Sequence, residues 1–148
     1  MANTNKNIFD ITNNFFIIDS NNIDKIETRL YGFTFLNNSV IKNIEDLQDN
    51  EPQGDGAYVL IKKNHTKVTI SQDFIGSYGL YLYKKGDYFA ISNSFIYLLD
   101  YIKQTHKITI NWDFANYMIP SELCSASFSQ TMINEIEILD RCAIIRIN

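Results

Sequence analysis

Hydrophobic and polar positions alternate with period two over much of this chain, the spacing of half-buried strands. Phe15–Asp19 (FFIID) and Arg29–Leu36 (RLYGFTFL) read as strands on either side of the polar SNNIDKIE. Within Ser39–Gln48, Ile41, Ile44 and Leu47 fall at a rough helical spacing and predict a short helix. Residues 49–56, DNEPQGDG, are turn chemistry throughout. Tyr58–Lys62 and Val68–Gln72 form one predicted hairpin across KKNHT. Leu80–Lys84 and Tyr88–Ser92 form a second across KKGD, where Gly86 supplies the positive φ such a turn needs. The period then changes: Phe95, Leu98, Leu99 and Ile102 recur at i, i+3, i+4 and i+7, the buried stripe of an amphipathic helix. Ser92, Asn93 or Ser94 supplies its N-cap. A second helix fits DFANYMI, with Phe114, Tyr117 and Met118 on one face and Pro120 stopping it. MINEIEIL, a turn at Asp140-Arg141 and AIIRI return the chain to strand.

These segments amount to about eight strands and two or three helices, with no repeat and no linker. Residues 1–148 therefore read as a single domain of the α+β class built on antiparallel sheets. Composition refines this only slightly. With 45% of residues hydrophobic and 20% charged, the chain is that of a folded domain. A net charge of −4 without any basic run argues against nucleic acid or an anionic membrane as partner. Its 9 Tyr and 10 Phe suit core and sheet-face packing. No apolar stretch approaches the roughly 18–20 residues of a membrane span, and MANTNKNIFDITNN lacks a signal-peptide core, so a cytoplasmic location is expected. Cys124 and Cys142, outside any CxxC arrangement, are expected as free thiols. His65 and His106 have no metal-ligand spacing and are expected exposed and idle in polar turns. Nothing in the sequence implies a cofactor.

Candidate chemistry is sparse. No GxGxxG, Walker, HExxH or GxSxG motif is present. Asp87, Asp100 and Asp113 read as solvated turn and cap residues. Asp73 differs, because it ends a strand just before a glycine-containing turn, where its carboxylate can accept backbone N–H bonds and fix the turn's shape.

One ordered set of residues goes further. Gly56-Ala57-Tyr58, then Gln72-Asp73-Phe74-Ile75-Gly76-Ser77-Tyr78-Gly79-Leu80-Tyr81, then Ala90-Ile91-Ser92-Asn93-Ser94 resembles the second half of the glutaminase (class II glutamine amidotransferase) domain of asparagine synthetase-like proteins. That family writes Gly-x-Phe-Ala, then Arg-Asp-x-x-Gly-x-x-Pro-Leu-Tyr-Tyr, then Ala-Ser-Glu entering a helix. The likeness covers residues 54–103 well and 128–148 loosely. It implies an Ntn-hydrolase-like sandwich of two antiparallel sheets with flanking helices, shortened at its N-terminal side. It also implies a structural motif of Gly56, Asp73, Gly76, Leu80, Tyr81 and Ser92.

The departures from the family pattern bear on activity. Active members use an N-terminal cysteine with its own α-amino group as base. This chain begins Met1-Ala2-Asn3, and Ala2 has no nucleophilic atom. The family's Arg-Gly-Pro-Asp and Asn-Gly-Glu-Ile-Tyr-Asn segments are missing, Gln72 stands for its Arg, and Gly79 for its Pro. The resemblance therefore implies a degenerate, catalytically inactive domain with no catalytic residue. Its expected role is a scaffold for an ATP-binding, amide-forming synthetase-like domain. That domain is not in this sequence, which lacks Ser-Gly-Gly-x-Asp-Ser. Two rival expectations are a stand-alone binding module for an amino-acid-like small molecule and an enzyme of unrelated chemistry. A scaffold should expose an apolar patch, and residues 111–130, with Trp112, Phe114, Tyr117, Met118 and Phe128, are its expected place, unless these residues fill the domain's own core.

Overall fold

A computed structural model describes residues 15–47, 50–52, 55–118, 129–141 and 143–147, without the side chains of Tyr117 and Met118. Among the described residues lie nine strands in two antiparallel sheets, with three α-helices. The strands are β1 (Ile17–Asp19), β2 (Arg29–Leu36), β3 (Ser39–Ile41), β4 (Gly56–Asn64), β5 (Lys67–Gln72), β6 (Tyr81–Lys85), β7 (Tyr88–Ser92), β8 (Ile136–Ile138) and β9 (Ile145–Ile147). The helices are α1 (Ile44–Leu47), α2 (Phe95–Ile102) and α3 (Trp112–Met118). Sheet A runs β1-β7-β6-β8 and sheet B runs β3-β2-β4-β5-β9. The expected α+β layout of two antiparallel sheets is what the chain adopts.

Alternation along the strands explains the stacking. Ile18 and Ile91 of sheet A, with Leu80 just ahead of β6, meet Tyr31, Val59, Ile61, Val68 and Ile70 of sheet B in one buried core between the sheets. The opposite face of sheet A carries Tyr83, Ala90 and Ile136, covered by Leu98 and Ile102 of α2. The opposite face of sheet B carries Leu30, Tyr58 and Leu60, covered by Leu47 of α1. The order is helix, sheet, sheet, helix. The predicted stripe of α2 packs as its spacing requires, and Ser94 is the N-cap, accepting from the Tyr97 N–H at 3.3 Å.

One prediction fails. Ser39–Ile41 is not the start of a helix but an edge strand, paired with Thr34–Leu36. Asn37 and Asn38 carry φ of 49° and 63°, the left-handed pair that a two-residue hairpin turn demands and that asparagine tolerates. The turn folds residues 39–41 back onto β2 and leaves only the single turn α1 for the helix. Both anticipated hairpins form, closed by His65-Thr66 and Gly86-Asp87.

Two glycines of the predicted motif have positive φ for different reasons. Gly76 has φ +62°, and a Cβ there would press on the flexible Arg141 side chain at 3.1 Å. Gly56 has φ +125°, and its Cβ would lie 2.4 Å from the Phe33 carbonyl oxygen on the neighbouring strand. Backbone cannot yield as a side chain can. Gly76→Ala should therefore cost about 1–2 kcal/mol, and Gly56→Ala about 3 kcal/mol or more. Urea melts measure both, and equal shifts would contradict the assignment of Gly56 to a close backbone approach.

Candidate functional site

The chain passes from sheet B to sheet A through residues 73–80 and back from A to B through residues 139–144. Both crossings lie at the same end of the sandwich and touch each other. The Leu139 N–H donates to the Leu80 carbonyl at 2.8 Å, and Gln72 Nε2 donates to the Asp140 carbonyl at 2.9 Å.

Asp73 holds the first crossing. Its side chain is fully buried. Oδ2 accepts from the Tyr58 N–H at 3.1 Å, while the Asp73 N–H donates to the Tyr58 carbonyl at 3.2 Å. The carboxylate thus extends the β4–β5 ladder one step past its last main-chain pair. Oδ1 accepts from the Ile75 N–H and the Ser77 hydroxyl, each at 3.1 Å, and the Ser77 N–H is shared between both oxygens. A buried carboxylate receiving charge-assisted hydrogen bonds from four donor groups fixes the turn, which is the role anticipated for it. Phe74 and Ile75, at the tip, are 63% and 67% exposed.

The other motif residues gather around this point. Gly56 opens β4 two residues ahead of Tyr58, and Gly76 lies against Arg141. Leu80 is fully buried between the sheets. Tyr81 stands in register with Ser92 of β7 on one side and Ile138 of β8 on the other. Ser92 is buried and its hydroxyl accepts from the Ser94 N–H at 3.1 Å. Between the crossings opens a cavity of about 590 Å³, with Gln72, Leu80, Gly76, Gly79, Tyr81 and Arg141 among its lining. A second hollow of about 520 Å³ lies on the outer face of sheet B, where Lys62 pairs with Glu51 at 2.8 Å.

A second buried carboxylate escaped sequence reasoning. Asp19, at the end of β1, accepts from the hydroxyls of Tyr88 at 2.9 Å and Tyr101 at 2.7 Å on Oδ2, and from the N–H groups of Asn21 and Asn22 on Oδ1. The clamp ties an edge strand to β7 and α2. Burial alone would raise the Asp19 carboxyl, but the hydrogen bonds from Tyr101, Tyr88, Asn21 and Asn22 outweigh it and hold the pKa below 3.8. Burial and then the Asp19 carboxylate push the Tyr88 phenol well up. His106, expected to be exposed and idle, is instead half-buried and stacks on Tyr88 with ring centroids 4.6 Å apart. The turn after α2 carries it back over sheet A.

Trp112 is 64% exposed beside exposed Ile110 and Met132, so part of the expected apolar surface exists, while Phe114 is half-buried. Phe128, Pro120, Cys124, Cys142 and Ala2 lie outside the described residues, as do the side chains of Tyr117 and Met118. Among the described residues no His, Cys, Asp and Glu side chains group as metal ligands, and no helix is long and apolar enough to cross a membrane. No protein-family model, curated protein or solved structure matches this chain.

Two outcomes test these carboxylates. Asp73→Ala orphans the buried Tyr58 N–H together with the turn's donors and should cost about 3 kcal/mol or more, whereas Asp73→Asn keeps an acceptor and should cost less. The Asp19 pKa is lower in the folded protein than in the unfolded chain. Its stabilisation is therefore full above the ordinary value of 3.8 and is lost as pH falls through the folded value. Asp19→Asn should accordingly lose less stability than wild type between pH about 6 and about 3, as read by urea melts. An unchanged loss would mean that the clamp does not titrate in this range.

Proposed function

We propose that this chain is a degenerate Ntn-hydrolase-like glutaminase domain of the asparagine synthetase type, without catalysis of its own, that serves as a scaffold for an ATP-dependent amide-forming domain. The observation that carries the reading is the Asp73 crossing. Asp73 and Gly76, which resemble the family's Asp-x-x-Gly element, close one hydrogen-bonded turn, and the chain runs from it through the Leu-Tyr pair, Leu80 and Tyr81, to join two stacked antiparallel sheets with helices on both outer faces. The stacking order supports the fold, and the lack of the Arg-Gly-Pro-Asp and Asn-Gly-Glu-Ile-Tyr-Asn segments supports the absence of chemistry.

A scaffold role also fits how the turn is built. Four donors converge on one carboxylate to present two large apolar side chains, Phe74 and Ile75, to solvent. Apolar side chains on a rigid support lose little conformational entropy when a partner covers them. The partner is a synthetase-like ATP-binding domain, fused or separate.

The purified chain should release no ammonia from glutamine above a blank. Ala2→Cys alone should not restore release, since nucleophile, oxyanion and substrate-binding groups act as a unit. Turnover that is abolished by blocking the α-amine would overturn the inactive reading. For the scaffold, an asparagine synthetase-like ATP-binding domain titrated against the chain should bind it. Phe74→Ser with Ile75→Ser should weaken that association about tenfold or more at unchanged melting temperature. Equal binding by wild type and the double variant would remove the turn from the interface.

A further inference from the structure

The cavity between the two sheet crossings has the size and lining of a small-molecule site, and nothing in the scaffold role requires it. At about 590 Å³ it falls within the ordinary range for ligand pockets. Leu80, Ile138 and Leu139 give it apolar walls, with the ring of Tyr81 on one side. Gly76 and Gly79 leave two stretches of wall without side chains. The polar groups are few and close together. Gln72 is only 7% exposed, and its Nε2 donates to the Asp140 carbonyl at 2.9 Å, which fixes the orientation of the amide. The other end of that amide, Oε1, is buried without a hydrogen-bond partner. An orphaned buried acceptor is destabilising, and a donor arriving in the cavity would recover that cost. Next along the chain from Asp140 is Arg141, exposed at the rim, with its stem on Gly76 and no carboxylate partner among the described residues. A guanidinium there accepts a carboxylate in bidentate fashion.

We infer that this cavity binds an α-amino or α-amido carboxylate with an apolar or aromatic side chain, its carboxylate on Arg141 and its N–H on Gln72 Oε1. Oε1 is closed off from solvent, so seating a donor on it requires the amide to turn about its bond to Asp140. Arg141 supplies charge recognition, Gln72 the donor requirement, and the Tyr81, Ile138 and Leu139 walls take the side chain. Free amino acids and acylated ones, including peptide C-termini, share this chemistry. The site is independent of the scaffold reading and of any glutaminase ancestry.

Titration of the 15N-labelled chain with L-phenylalanine, N-acetyl-L-phenylalanine and the uncharged methyl ester of the latter tests the inference by NMR. One or both acids should move the Gly76 and Gly79 amide resonances saturably. The ester should bind about fivefold or more weakly than its acid. Arg141→Gln, an exposed substitution with unchanged melting temperature, should weaken the acid by a similar factor and leave the ester unaffected. Gln72→Met should lower affinity for acid and ester alike. A stronger response to phenylalanine identifies a free amino acid, and a stronger response to the acetylated acid identifies an acylated one or a peptide end. No saturable movement of these amides by either acid, or equal affinity for acid and ester with Arg141→Gln indifferent, would overturn the site.

Discussion

A polypeptide that leaves one sheet for another abandons a hydrogen-bond ladder before it has joined the next, and its N–H groups must find other acceptors wherever water is excluded. In this protein the Asp73 carboxylate is that acceptor. It takes the Tyr58 N–H beyond the last main-chain pair of β4 and β5, and it takes the Ile75 and Ser77 N–H groups of the departing chain. The crossing is therefore a fixed corner. From that corner follow the depth at which Leu80 enters the inter-sheet core and the register of Tyr81 against Ser92 and Ile138. The position of the return crossing, which donates to Leu80 through Leu139, follows as well.

This corner was legible in the sequence because its causes are local. An aspartate at a strand end, three residues before a glycine and four before a serine, is a turn signal at short range. The helical stripe of α2 and the hairpin turn at Gly86 were legible for the same reason: period and turn chemistry are properties of adjacent residues. The edge strand at residues 39–41 shows the limit of that approach. Ile41, Ile44 and Leu47 are spaced as a helix would space them, yet the Asn37-Asn38 turn reverses the chain and gives Ile41 to a strand. A left-handed asparagine pair outranked a three-residue periodicity, and asparagine pairs are common enough in this chain to hide the signal.

Asp19 was illegible for a different reason. Its immediate neighbours, Ser20, Asn21 and Asn22, make it look like one more polar residue in a turn. Its tyrosine partners lie 69 and 82 residues further along the chain. Only the pairing of β1 with β7, and the packing of α2 over that pair, brings them within hydrogen-bond reach. The displaced His106 belongs to the same geometry, since its partner Tyr88 is positioned by the sheet and not by anything near residue 106. Buried polar clusters of this kind emerge from tertiary pairing, so a sequence can display each member without displaying the cluster.

The candidate cavity combines both situations. Two positions where this chain departs from the pattern it resembles, Gln72 in place of arginine and Gly79 in place of proline, both lie on the cavity lining. Read along the sequence, the two substitutions look like relaxed constraint around a turn. Placed in the fold, they act on one space. Glutamine substitutes a neutral amide with a spare acceptor for a permanently charged group, and glycine leaves a stretch of wall without a ring. The cation of this corner is then Arg141, carried by the return crossing and resting on the bare Gly76. Close to it, Gln72 holds a buried acceptor without a hydrogen-bond partner. A corner with no ligand to admit would be filled or collapsed, because close packing is the cheaper end state. The open volume and the buried unpaired oxygen point the other way, toward a corner kept for an occupant.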